Sequence, residues 1–474
     1  MDGYGIYNVV GGVVILFSFL ENSLVYSIER FLNFYVGKED KEKEQQIIST
    51  SMVIMLLLSI LMIVVLETVG NWFINVKLNI PQESMFDANI VFQVSIITFI
   101  ITTFRIPQNS LVVANEKMSF YAYISIIEYS LKLACVFLLM IIPANKLISY
   151  AVLIMLVQVI LSIITYIYCK KYFPDINYNF KANRSLIIEI TKFSGWNTLG
   201  GVAEIGYQQG YNMILNIFFG VAYNATIGIA TQVKNAIYNS VRNVISVAIP
   251  QIVKSYAIAD YDYFHKLLTA ISKYAFFMFF FLGLPLILNM DYVLDIWLNG
   301  VVPPYATSFC NLLIIASLLD CIVRPLWTAV QSRGNLKVYQ IVSSIILLAN
   351  VPAAYFYLKF GGKPSYVLSI QIILAAILLI YHVWYLNRHN LLPANEFIRK
   401  TVIPIFNVGI ISCAIFFFIP DSLVGLKRFL VTGCLCVIVN SILIFYVGLD
   451  RNERQTVISV IKKYLSKRKN NKKE

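Results

Sequence analysis

Apolar runs of about 20 residues recur from one end of this chain to the other. Each is long enough to cross the hydrocarbon core of a bilayer as a helix. That repetition constrains the fold more than any motif does, and it predicts an all-α polytopic membrane protein. Composition agrees: 58% of the 474 residues are apolar and 13% charged, against roughly 45–50% and about 25% in soluble proteins.

The runs mark thirteen predicted spans, at 6–36, 47–69, 86–114, 118–142, 147–169, 187–219, 223–256, 267–290, 305–331, 336–358, 365–387, 399–419 and 427–449. No basic n-region precedes the first run and no small-residue cleavage site follows it, so a removable leader is not expected. Lys and Arg concentrate in alternate connections and in the tail RNERQTVISVIKKYLSKRKNNKKE, while the other connections carry few. Positive charge collects on the cytoplasmic side, so the C-terminus is expected inside and, with thirteen spans, the N-terminus outside. The net charge of +13 therefore speaks for anionic lipid, not nucleic acid. The seven scattered cysteines read as small hydrophobes, and the three histidines show no metal spacing. No phosphate loop, nucleophile elbow or carboxylate pair is present, which leaves a non-enzyme, a transporter or channel, with no cofactor and no metal.

Internal order suggests a duplication. The stretch RIPQNSLVVANEKMSFY (105–121) can be laid on RPLWTAVQSRGNLKVY (324–339), so that Pro107 meets Pro325 and Tyr121 meets Tyr339. Two lobes of like orientation with a substrate site between them are a common transporter plan. The expected organisation is an N-terminal lobe (1–170), a linker (171–186), a C-terminal lobe (187–390), an extra helix pair (391–450) and a basic tail (451–474).

Two spans are too polar to face lipid all round. At 100° per residue, Gln232, Asn235, Asn239, Arg242, Asn243 and Ser246 fall within an arc of about 100°, with Lys234 roughly 80° from Arg242. In the preceding span Asn197, Gly201, Glu204, Gln208 and Asn212 share a face by the same arithmetic. A helix–helix seam also uses Asn and Gln, but six polar groups on one stripe exceed what a seam usually needs, which favours a cavity wall. The intramembrane cations Arg30, Arg105, Lys234, Arg242 and Arg324 require water, an internal partner or an anionic substrate. Arginine suits a phosphate because its planar fork binds oxygens bidentately. The alternatives are local: Arg30, near the inner end of its span, can snorkel, Arg105 and Arg324 can pair with carboxylates, Arg324 with Asp320 at i−4, and the further cation Lys132 has Glu128 at i−4 as an internal ion pair. Glu21, Glu204 and Asp320 are the deep carboxylates, either ion-coupling groups or counter-ions to neighbouring cations.

The stretches DGYGIYNVVGG, ERFLNF, ANEKMSFYAYISIIEYSLKL, SGWNTLGG, QQGYNMILNIFFG, IGIATQV, IPQIVKSYA and LDIWL resemble the Wzx-type polysaccharide flippases, in the superfamily shared with the MATE drug exporters. The resemblance implies two six-helix lobes plus a terminal helix pair, in a V around a cationic lumen. It implies transfer of an undecaprenyl-pyrophosphate-linked oligosaccharide across the bacterial inner membrane for O-antigen or capsule assembly, by alternating access coupled to H+ or Na+. It implies membrane lipids, a polysaccharide polymerase and a co-polymerase as partners. Arg30 falls in the family's R-F element, and Glu128 and Lys132 in its E-x-x-x-K element. Relatives carry a complete transmembrane helix ahead of YGIYNVVGG, so the chain is expected to lack the first helix of that plan. A cation-coupled multidrug exporter and a degenerate, non-transporting copy are the alternative readings.

Overall fold

The computed structural model describes residues 18–77, 82–142, 145–219, 221–416, 425–456 and 458–459. Among the described residues the structure is helical throughout, with no β-strand. The helices are α1 (Ser18–Gly37), α2 (Lys41–Val65, prolonged by π-turns to Lys77), α3 (Gln82–Ala114), α4 (Met118–Ile141), α5 (Lys146–Tyr172), α6 (Arg184–Phe219), α7 (Val221–Ala257), α8 (Tyr261–Leu288), α9 (Met290–Trp297), α10 (Ala306–Arg333), α11 (Lys337–Leu348), α12 (Asn350–Lys359), α13 (Ser369–Arg388), α14 (Ile403–Phe416, entered through a π-turn at Ile398–Val402) and α15 (Gly425–Leu443). Among the described residues, ten helical stretches are long and apolar enough to cross a membrane. The count of thirteen is therefore not reproduced. The other three expected spans coincide with helices α1, α6 and α7, and α6 and α7 are the two the sequence marks as polar. The motif at 2–12 lies outside the described residues.

The chain divides into two compact units. Unit 1 holds residues 1–202 with two short returns, 250–260 and 331–341. Its centre is α3. Val91, Phe92, Ile96 and Phe99 form an apolar stripe that packs on Met62, Leu66 and Ile74 of α2, all buried. Gly70 is required there, because a Cβ would sit 2.8 Å from the Phe92 ring. Hydroxyls tie α1 to the start of α6: Ser23 donates to the Ser194 carbonyl at 2.6 Å and Thr198 donates to Ser23 at 2.9 Å. Such bonds satisfy the hydroxyls where no water can reach them.

Unit 2 holds 203–249, 261–330 and 342–474. One continuous core joins Tyr211 and Leu215 of α6, Ile237, Val241 and Ile245 of α7, Phe279 of α8 and Phe309, Ile314 and Cys321 of α10. The α7 contributors recur every four residues, which is why one face of that helix is buried. The segment from the π-turn at Ile398–Val402 to Glu453 is tied to α8 and its end through polar anchors. Thr401 donates to the Thr269 carbonyl at 3.1 Å, Asn289 donates to Thr432 at 2.7 Å, and the buried Lys273 meets Glu453 at 2.6 Å.

Candidate functional site

The polar residues of unit 2 form two separate features. One is a charge cluster where α6, α7 and α10 meet. Arg324 donates through Nε to the Tyr238 hydroxyl at 3.0 Å, and its Nη2 lies 3.7 Å from Glu204 Oε1. Asp320, one turn earlier on α10, has Glu204, Arg324 and Lys234 within electrostatic reach. The sequence expectation of an i−4 pair is thus completed differently, because Arg324 reaches across to α6 for its carboxylate. Lys234 makes no hydrogen bond or ion pair within 4 Å among the described residues.

Framework contacts hold this end of α6. Asn350 donates to the Tyr207 carbonyl at 3.0 Å, and the Tyr211 hydroxyl donates to Asn350 Oδ1. The cluster is neutral when fully ionised: two cations, Lys234 and Arg324, face two carboxylates, Glu204 and Asp320. It stays open to solvent, with the Arg324 and Glu204 side chains 41% and 40% exposed.

The second feature is the stripe on α7. Gln232, Asn235, Asn239, Arg242, Asn243 and Ser246 are all exposed, opposite the buried Ala230, Ile237, Val241 and Ile245. The helical arithmetic therefore holds for this face. Arg242 makes no hydrogen bond or ion pair among the described residues. It is the cation of this stripe, outside the charge cluster.

The remaining predicted site residues are elsewhere. Glu204 stands in the cluster, but Asn197 on the same predicted face is buried in unit 1, where its Oδ1 accepts from Gln331 at 3.2 Å. The side chains of Gln208 and Asn212 lie outside the described residues. Arg30 is committed to backbone, donating to the Gln331 and Ser332 carbonyls at 3.3 and 3.0 Å. Glu21 accepts from the Thr103 hydroxyl. Arg105 is half-buried with Glu128 and Tyr121 in electrostatic reach. Glu128 itself pairs with Lys132 at 2.6 Å, as the i, i+4 spacing predicts.

Tyr238 is the site residue that sequence reasoning missed. It lies four residues after Lys234, so the two share a face of α7 beside the amide stripe. An i, i+4 Lys–Tyr pair next to a polar stripe is the signal that could have found it.

No protein-family model and no curated protein matches the chain. Solved structures do. An outward-facing multidrug-resistance MATE-family transporter of the MOP superfamily aligns with a TM-score of 0.67 at 14% identity, over 85% of this chain and 94% of that one. A MATE in its straight conformation aligns with a TM-score of 0.66 at 14% identity, over 82% and 87%. A MOP-superfamily transporter from Pyrococcus furiosus, whose reversed binding-pocket polarity is described as suggesting a different function, aligns with a TM-score of 0.64 at 14% identity, over 82% and 87%. The class defined is therefore a polytopic helical membrane protein with the fold of the MATE/MOP transporters.

Proposed function

We propose that this protein is a flippase for oligosaccharides carried on undecaprenyl pyrophosphate. In this reading it moves the lipid-linked sugar across the bacterial inner membrane for surface polysaccharide assembly. It works by alternating access, coupled to H+ or Na+ through Glu204, Asp320 or Glu21. The charged connections and the basic tail face the cytoplasm, and polymerase and co-polymerase proteins take the product onwards. The lobes are those of the expected organisation, with 391–450 as an accessory pair.

The observation that carries this reading is Arg242. It is an exposed guanidinium with no partner among the described residues, on a stripe of α7 made otherwise of amides and Ser246. A cation at membrane depth is costly without water or an anion, and a pyrophosphate supplies the bidentate acceptor that arginine binds best. The amides Gln232 and Asn239 on the same face suit sugar hydroxyls, as would Gln208, Asn212 and Asn197 if exposed during the cycle. Lys234 and Arg324 are the further cations that the anionic head would meet. The test is complementation of a flippase-deleted strain carrying matched glycan machinery. Restored surface polymer, lost again in Arg242→Gln, is the expected result; no polymer despite confirmed membrane expression would overturn it.

A cation-exporting reading is favoured by one observation, the partly exposed Glu204 and Asp320 beside Tyr238, a set able to hold a cation. It predicts drug tolerance with no effect on surface glycan.

A further inference from the structure

Two helix ends return onto unit 1 through contacts that the functional reading does not use. The first return is the last turn of α10 with the turn that follows, 331–335. Carbonyls in a last helical turn have no intrahelical partner and carry the negative end of the helix dipole. Arg30 of α1 supplies the missing donors: its Nη2 reaches the Ser332 carbonyl at 3.0 Å and its Nε the Gln331 carbonyl at 3.3 Å. The guanidinium is seated on aromatic rings, 4.6 Å from the Phe31 centroid and 5.4 Å from that of Phe193. The chain then turns over it at Gly334, with φ +84°, where a Cβ would meet the guanidinium at 2.6 Å. Only glycine fits both demands.

The second return is the last turn of α7. Lys254 Nζ lies 2.5 Å from Glu116 Oε1, and Gln251 donates to Glu116 Oε2 at 2.5 Å. Both oxygens of one carboxylate are thereby engaged. Glu116 sits in the α3–α4 turn with φ +59°, a backbone conformation uncommon for a residue with a side chain. The end of α1 closes on the same turn of α7, because a Cβ on Gly37 would fall 2.9 Å from Lys254 Cα.

These clasps are related by the sequence repeat. Laying 105–121 on 324–339 equates α3 with α10, and so the α3–α4 turn with the α10–α11 turn. It then equates α1 with α7. Arg30 on α1 grips the turn after α10, and Lys254 on α7 is gripped by the turn after α3. Each repeat therefore contributes a cation, from α1 or α7, to a clasp with the turn that ends α10 or α3 of the other.

We infer that Arg30 and Lys254 form a reciprocal latch, and that both clasps release together when the ends of α7 and α10 leave unit 1. The clasps are polar and water can replace them: the Lys254 and Glu116 side chains are 20% and 35% exposed. Partly exposed ion pairs are weak and exchange readily, which suits a reversible two-state element. The latch governs access and is independent of the cargo's charge.

The test is a thiol-accessibility assay on the full chain in nanodiscs, where both faces meet reagent. Ser332 is fully buried and clasped through its backbone alone in the contacts to Arg30. Ser332→Cys is therefore the reporter, and the buried native Cys169 of α5 is the internal control, with the other six cysteines replaced. Arg30→Gln should raise maleimide labelling of the reporter roughly ten-fold, as loss of charge-assisted hydrogen bonds implies. Glu116→Gln should raise it in the same direction, and the double variant should exceed the larger single effect by little. Arg30→Lys and Glu116→Asp, which keep the charges, should label more slowly than the neutral variants. No change in either neutral variant overturns the latch. So does a parallel rise at Cys169, which would mean general loosening. An Arg30 effect without a Glu116 effect overturns the reciprocity.

Discussion

The two arginine–proline elements, Arg105 with Pro107 in unit 1 and Arg324 with Pro325 in unit 2, match in sequence and differ in circumstance. Arg324 is held by Tyr238 at 3.0 Å and Glu204 at 3.7 Å. Arg105 makes no hydrogen bond or ion pair within 4 Å among the described residues. Its nearest carboxylate, Glu128, is taken by Lys132 at 2.6 Å and accepts weakly from Gln158 at 3.4 Å. Position within a repeat therefore does not set a residue's role. What sets it is whether another helix brings a free partner, as α6 does with Glu204, or whether a local i, i+4 pair has already consumed it.

The sharpest way to break the comparison is to neutralise each arginine and measure transport. Arg324 organises a charge cluster, so Arg324→Gln leaves Glu204 and Asp320 facing a single cation, Lys234. We expect transport to fall roughly ten- to a hundred-fold, the cost of losing one to two charge-assisted hydrogen bonds. Arg105→Gln frees no partner, and its effect should stay within a few-fold. Equal losses would mean that both arginines meet cargo, and the contrast drawn from their partners would fail.

Glycines carry the contrast to backbone scale. Gly37 has backbone of Lys254 against it, with a Cβ position 2.9 Å from Cα, whereas Gly201 has nothing within 4 Å. Gly37→Ala should destabilise by about 1–3 kcal/mol, as overpacking does. It should also mimic the open latch in the labelling assay. Gly201→Ala, inside α6 and in open space, should stabilise by about 0.5–1 kcal/mol through helix propensity. Thermal unfolding of the purified variants reads both signs. A stabilising Gly37→Ala would mean that α1 and α7 do not meet as closely as described.

Much of this was legible in the residues, for a definable reason. Apolar run length marks the helices, because the bilayer fixes how long a span must be. The α7 stripe was legible because helical geometry alone decides which residues share a face. The same holds for Glu128 and Lys132, a pair made within one turn of one helix. What was not legible depends on a second helix. Asn197 and Glu204 share a predicted face of α6, yet Asn197 is buried against Gln331 while Glu204 joins Arg324. Arg324 was matched to Asp320 on its own helix because Glu204, on another, is invisible to spacing. Arg30 looked like a snorkelling or ligand cation, and its partners are backbone carbonyls, which no side-chain pattern announces. Helices α6 and α7 are not among the stretches apolar enough to cross a membrane, because of the same polar faces that make them interesting.

The smallest effect sharpens the comparison most directly, because it isolates the two carboxylates. A double-mutant cycle on stability removes each charge of a pair singly and together, leaving only the interaction. For Glu128 and Lys132, an i, i+4 pair with side chains 26% and 38% exposed, about 0.3–0.5 kcal/mol is expected. For Glu204 and Arg324 the separation is longer and the exposure 40% and 41%, so solvent screening discounts the direct term to within about 0–1 kcal/mol. The stability cycles should therefore be similarly small. The same cycles read on transport should separate, with strong coupling for Glu204 and Arg324 and little for Glu128 and Lys132. If Glu204 and Arg324 behave additively in transport, their pairing is packing between α6 and α10, and anion recognition on α7 falls to Arg242 and Lys234.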